Sequence, residues 1–214
     1  MLPDKKYRSL AFVVALLAWT GLALQFYTSV PAYLAKGRTL GGTLVELFSY
    51  FTIQTNLLLA CATTAVVIYS KTKTWLNQAG LLTAVAVCIS IVSLVYNLVL
   101  RQAYHPVGLA RISDELMHLL TPIAYVVFWI LAVPKQSLTY KGGLPWLLYP
   151  LSYLIYILVR GALTNIYPYF FLDAGKFGYG KVAINIAVLM LVFFGIDAFY
   201  VFIGRLITRR NQAE

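Results

Sequence analysis

Long apolar runs alternate with short breaks rich in Gly, Pro, Lys and Arg along this chain. The runs cover roughly Leu10–Val30, Leu44–Ser70, Gly80–Leu100, Ser113–Val133, Trp146–Leu163 and Val182–Ile207. About 20 apolar residues cross a ~30 Å hydrocarbon core as a helix. Hydrocarbon admits few other structures, because the backbone must satisfy its own polar groups there. The pattern therefore predicts an all-α, polytopic membrane helical bundle with six transmembrane helices, residues 1–214 forming one domain. Pro31 is expected to end the first span, which is too long for a signal-peptide core. A basic Lys71-Thr72-Lys73 turn follows the second span, and Pro134-Lys135 closes the fourth. Ser113-Asp114-Glu115 reads as the capped start of the fourth, its acids at the positive end of the helix dipole.

Composition agrees. The chain is 61% hydrophobic and 11% charged, whereas soluble domains are about a quarter charged. Its net charge of +10 is spread over loops and tails, as suits anionic headgroups. No basic helix stripe points to nucleic acid. Six spans put both ends on one side of the membrane. Ten of the 17 Lys and Arg fall on that side, so the positive-inside rule favours cytoplasmic termini. Cys61 and Cys88 lie mid-span and read as small core residues.

The polar interruptions then carry the functional information. Thr52, Gln54, Thr55 and Asn56 break the second span within Tyr50-Phe51-Thr52-Ile53-Gln54-Thr55-Asn56. Counted from the side away from the termini, Thr52 lies about eight residues deep, ~12 Å at a rise of 1.5 Å. His118 lies about five residues deep from that side, ~7 Å. Asn97 and Arg101 end the third span there, Arg160 ends the fifth, and Asn185 begins the sixth. Glu46, Asp114 and Glu115 belong to the same half, while the other half holds little beyond Asp197. Each has a plainer reading. Hydroxyls bond back to their own helix, amides glue helices together, and arginines snorkel. Their convergence in one half of the bilayer is what favours a site.

Asp114 and His118 are four residues apart and share a helix face. An acid so placed orients an imidazole. Pro122 removes the N–H that would bond the His118 carbonyl. A hydroxyl and a histidine in one half-membrane pocket are the minimum for nucleophilic attack on an ester. Thr52 is the candidate nucleophile, Thr55 its rival one turn on, and His118 the candidate base. Gln54 and Asn56 are candidate oxyanion donors. Asn97 and Asn185 line the same half, and Arg101 or Arg160 would hold an acidic group at headgroup level. Such a pocket suits a lipid substrate arriving sideways through the bilayer. It calls for no cofactor: a metal site on His118, Asp114 and Glu115 would have one histidine and no cysteine. The competing reading is a non-enzymatic binder or transporter of a small amphipathic molecule, against which the lack of an internal repeat counts mildly.

Tyr50-Phe51-Thr52 in the second span, and Met117-His118 followed by Pro122 in the fourth, resemble the androgen-induced and androgen-dependent membrane proteins of vertebrates. Those are six-span hydrolases of fatty acid esters of hydroxy fatty acids. The string Phe48-Ser49-Tyr50-Phe51-Thr52-Ile53-Gln54-Thr55-Asn56-Leu57 looks like the bacterial branch of that superfamily. So does Arg160-Gly161 followed by Tyr167-Pro168-Tyr169 and Asp173. The resemblance implies an intramembrane threonine nucleophile at Thr52, a histidine base at His118, a hydroxy-fatty-acid ester as substrate, and the bacterial inner membrane as location. One departure is plain. Vertebrate members carry a second histidine just before the catalytic one, where this chain reads Asp114-Glu115-Leu116-Met117.

Overall fold

The computed structural model describes residues 5–69, 72 and 74–213. Among them are six helices long and apolar enough to cross a membrane: Tyr7–Leu34, Phe51–Ile68, Ala79–Leu100, Leu109–Ala132, Tyr140–Thr164 and Ala174–Arg210. The helical elements are α1 Lys5–Leu34, α2 Leu40–Phe48, α3 Phe51–Ile68, α4 Ala79–Val95, α5 Leu109–Glu115, α6 Thr121–Ala132, α7 Tyr140–Gly143, α8 Leu148–Thr164 and α9 Ala174–Ala213. A π turn, Tyr96–Leu100, prolongs α4, and a second, Leu116–Leu120, joins α5 to α6.

The bundle is an integral membrane architecture with its core on α1, α3, α4 and α6. α1 packs chiefly along α3, and α4 packs on α3, α6 and α9. Leu59, Leu82, Ile89, Tyr125 and Phe128 are fully buried between them. Phe12, Leu16, Leu163, Leu191 and Phe199 point outward and are exposed, which is stable only against lipid. α9 and the α7–α8 segment contribute least to the interior, so they form the outer wall.

Four boundaries differ from the sequence expectations, each for a physical reason. Pro31 does not end the first helix, which runs to Leu34. A proline in the last turn forfeits a single hydrogen bond, and termination falls instead to Gly37, whose φ of 78° is left-handed. The second span is not continuous from Leu44. It breaks at Ser49–Tyr50, and Thr52 is the second residue of a new helix. The fourth span starts at Leu109 after Gly108, so Ser113, Asp114 and Glu115 stand inside the helix and cap nothing. Ser113 donates to the Gly21 carbonyl of α1 at 2.9 Å. The sixth helix begins at Ala174, within the glycine-rich segment read as a connector, and bends at Gly178 with φ 73°. Of the expected basic turn, Lys71 and Lys73 lie outside the described residues.

Lys135 shows how a buried charge is used. It lies 6% exposed, just past the end of α6. Its ammonium donates to the carbonyls of Trp129, Ile130 and Val133 at 2.8, 2.9 and 2.6 Å, closing a helix end that would otherwise expose bare acceptors. Replacing it in Lys135→Met is expected to cost about 1–3 kcal/mol, because the Ile130 and Val133 carbonyls lose their ammonium donor while Trp129 O keeps only the Val133 N–H. Thermal unfolding in detergent, followed by a thiol-reactive dye on Cys88 (3% exposed), measures this. An unchanged midpoint would contradict the capping role.

Candidate active site

The site starts from the break in the second span. At Ser49–Tyr50 the backbone leaves helical geometry, Tyr50 having ψ 126°, and the freed groups need new partners. Side chains supply them. Gln54 Nε2 donates to the Phe48 carbonyl at 2.8 Å, and the Tyr153 hydroxyl donates to the Ser49 carbonyl at 2.8 Å. The Ser49 hydroxyl donates back to Val45 O at 2.6 Å and meets the Tyr156 hydroxyl at 2.9 Å. At the opening of α3, the Thr52 N–H donates to the Tyr169 hydroxyl at 3.4 Å. Thr52 therefore sits at the amino end of an 18-residue helix, where the dipole favours negative charge.

Tyr169 reaches this place through the loop after α8. That helix closes on Asn165, left-handed at φ 56°. Arg160 Nη1 donates to the Ile166 carbonyl at 2.9 Å and so ties the loop to its own helix. Gly161 lies flush against the Tyr167 ring, in the space any Cβ would need. Tyr169 then stacks on Phe171 with ring centroids 5.5 Å apart and meets Tyr50 edge-on at 5.9 Å. Burial pushes the Tyr169 phenol above its ordinary pKa, so it remains a neutral O–H.

The facing wall is built from the two π turns, which set α4 and α5–α6 side by side. Such turns widen a helix and re-aim its side chains. Pro122 leaves the His118 carbonyl without its helical donor, and neighbours on α4 replace it. Ser93 Oγ donates to it at 2.7 Å and Asn97 Nδ2 at 3.2 Å. The His118 ring stacks on Tyr96 with centroids 3.7 Å apart and planes 13° from parallel. Its Nδ1 lies 3.0 Å from Asp114 Oδ1 and 3.0 Å from the Asp114 carbonyl. Both partners are acceptors, so Nδ1 carries a proton, and the neutral tautomer compatible with these contacts has its lone pair on Nε2. The second Asp114 oxygen accepts from the Tyr96 hydroxyl at 2.5 Å. Tyr96, Asp114 and His118 thus form one buried chain, with the acid held at both oxygens.

Thr52, Asp114 and His118 line the same cavity, of about 280 Å³, with Tyr50, Tyr96 and Tyr169. Thr52 also faces a smaller apolar cavity of about 40 Å³ toward Phe51, Leu154 and Phe193. On the outer face, an apolar groove lined by Trp19, Phe26, Phe48 and Ile53 runs beside the main cavity, with Ile53 common to both.

The remaining sequence candidates take other positions. Thr55 is 0% exposed and lines neither cavity, whereas Thr52 is 9% exposed and lines two. The amide of Asn56 is spent on the Thr52 carbonyl at 3.0 Å and the Met117 carbonyl at 3.4 Å, and that of Gln54 on Phe48. Asn97 supports His118 from behind. Arg101 is engaged in a two-pronged pair with Glu115, both contacts 2.8 Å, and Arg160 serves the loop. Asn185 donates to the Phe171 carbonyl at 2.8 Å, fixing the same loop from α9. The sequence assigns no role to Tyr96, which among 16 tyrosines does not stand out, and marks Tyr169 only as part of the Tyr167-Pro168-Tyr169 string. No family model, curated protein or solved structure matches the chain.

Ser93 and Asn97 share one acceptor, which sets a double-mutant cycle. Ser93→Ala or Asn97→Leu alone leaves the His118 carbonyl one donor, and the pair together leaves none. The double variant is expected to lose about 1 kcal/mol more than the sum of the singles in thermal stability. Simple additivity would contradict the shared-carbonyl account.

Proposed function

We propose that this protein is an intramembrane ester hydrolase with Thr52 as nucleophile and His118 as general base. The observation that carries the reading is the tautomer fixed on His118. The Nδ1–H donates to Asp114, so in the neutral tautomer the free lone pair belongs to Nε2 of a ring lining the cavity shared with Thr52. The resemblance of the threonine string and of Met117-His118 to the six-span lipid hydrolases points the same way.

In the proposed cycle, His118 Nε2 accepts the Thr52 hydroxyl proton as Oγ1 attacks the ester carbonyl carbon. The carbonyl oxygen becomes an oxyanion, and the Tyr169 hydroxyl, whose oxygen accepts from the Thr52 N–H, is the donor beside Thr52 that can meet it. Collapse expels the alcohol oxygen, which takes the proton from His118, and leaves an acyl-threonine. Water then attacks that ester, His118 again accepting the proton, and fatty acid and free Thr52 are released. Asp114 stabilises the imidazolium in both halves, and Tyr96 holds Asp114 in place. The outer apolar groove beside Ile53 gives a lipid chain a lateral approach.

Hydrolysis of 4-nitrophenyl acyl esters by the purified protein tests the assignment. Thr52→Ala and His118→Ala are expected to lower kcat by about 10³-fold or more. Asp114→Asn is expected to lower it on the order of 10²–10⁴-fold by freeing the wrong tautomer. Thr55→Ala is expected to stay within about twofold, since Thr55 faces no cavity. Unchanged turnover in Thr52→Ala, with the fold intact, removes Thr52 from the mechanism and favours binding or transport instead.

A further inference from the structure

The charge pattern of the main cavity bears on what kind of lipid head it accepts. Its polar lining includes Gln25, Ser29, Tyr33, Tyr50, Tyr104 and Tyr169, and its one charged side chain is the Asp114 carboxylate. Among the described residues lining it, none is a Lys or Arg. The nearby cations lie outside the lining; the Lys36 ammonium stands 6.0 Å from the Tyr33 ring, and three arginines are engaged. Arg101 pairs with Glu115 through two 2.8 Å contacts, Arg38 pairs with Glu46, and Arg160 donates to Ile166 O. A carboxylate or phosphate placed in this cavity would face Asp114 with no counter-charge, which disfavours it. What remains is a set of neutral donors and acceptors, namely phenol hydroxyls, one amide and one hydroxymethyl group.

We infer that the cavity selects a neutral, hydroxyl-bearing head, so that the substrate class is a glycerol monoester or similar polyol ester, not an ester ending in an ionised acid. The inference rests on the hydrolase reading for its chemistry but on charge alone for its selectivity. It narrows what the family resemblance implies, because an ester of a hydroxy fatty acid carries a free carboxylate.

Binding to Thr52→Ala tests the selectivity independently of turnover. The probes are two esters of one acyl chain: a glycerol monoester and a hydroxy-fatty-acid ester with its free carboxylate. Dissociation constants are read by titration in a non-ionic detergent at fixed salt. The glycerol ester is expected to bind about tenfold tighter or more than the carboxylate probe. Equal or tighter binding of the carboxylate probe, or no binding of either, overturns the inference. A second variant, Tyr104→Arg, places a cation at the exposed rim of the cavity. It is expected to raise affinity for the carboxylate ester about tenfold, and no gain would mean the head does not sit there. Wild-type protein that shows the neutral preference but hydrolyses neither ester would sink the hydrolase reading while leaving the selectivity standing.

Discussion

A carboxylate buried in an apolar bundle has to be held, and the holding of Asp114 organises the site. Left without partners, such a group would be driven to neutrality or exposed to solvent. Here its two oxygens are taken by Tyr96 from the third span and His118 from its own helix. That choice fixes the imidazole tautomer and stacks the two rings. It also requires α4 and the α5–α6 segment to lie close, which the paired π turns permit. Fold and chemistry meet at one carboxylate.

The second organising constraint is the backbone. A helix broken inside a membrane exposes polar groups that lipid cannot satisfy. The break at Ser49–Tyr50 is therefore surrounded by side-chain partners from α3, α8 and the loop beyond it: Gln54 and Tyr153 donate to it, and Tyr169 accepts from the Thr52 N–H. In return, the break gives Thr52 what a mid-helix threonine lacks. A threonine inside a continuous helix bonds back to the preceding turn, as Thr63 does to Leu59 O at 2.8 Å. At a helix start, Thr52 instead lies at the edge of two cavities, with its N–H donating to the Tyr169 hydroxyl. The loop that delivers Tyr169 is secured by Arg160 and Asn185, so residues without contact to the cavity still shape it.

Much of this architecture is legible in the amino-acid sequence. Six apolar runs give the six crossings, and counting inward from their ends collects the polar residues in one half of the membrane. The Asp114–His118 spacing and Pro122 describe local events on one helix, and such events can be read from spacing. What escapes is anything decided between helices. The break at Ser49–Tyr50 has no Pro or Gly to announce it, because its stabilisation comes from Tyr153 and Tyr169, more than a hundred residues away. Gln54, Asn56, Arg101 and Arg160 look available in sequence, yet their partners lie on other turns and loops and occupy their donors. Tyr96 is hidden for the same reason: its importance is the carboxylate it meets, not its type.

The most direct measurement is covalent. Purified protein in detergent is treated with a long-chain fluorophosphonate, and the modified residue is mapped by mass spectrometry in wild type, Thr52→Ala and His118→Ala. The account predicts an adduct on Thr52 in wild type and none in either variant, with all three folded. An adduct on Thr55, labelling that survives His118→Ala, or no labelling of wild type across a range of chain lengths would contradict it.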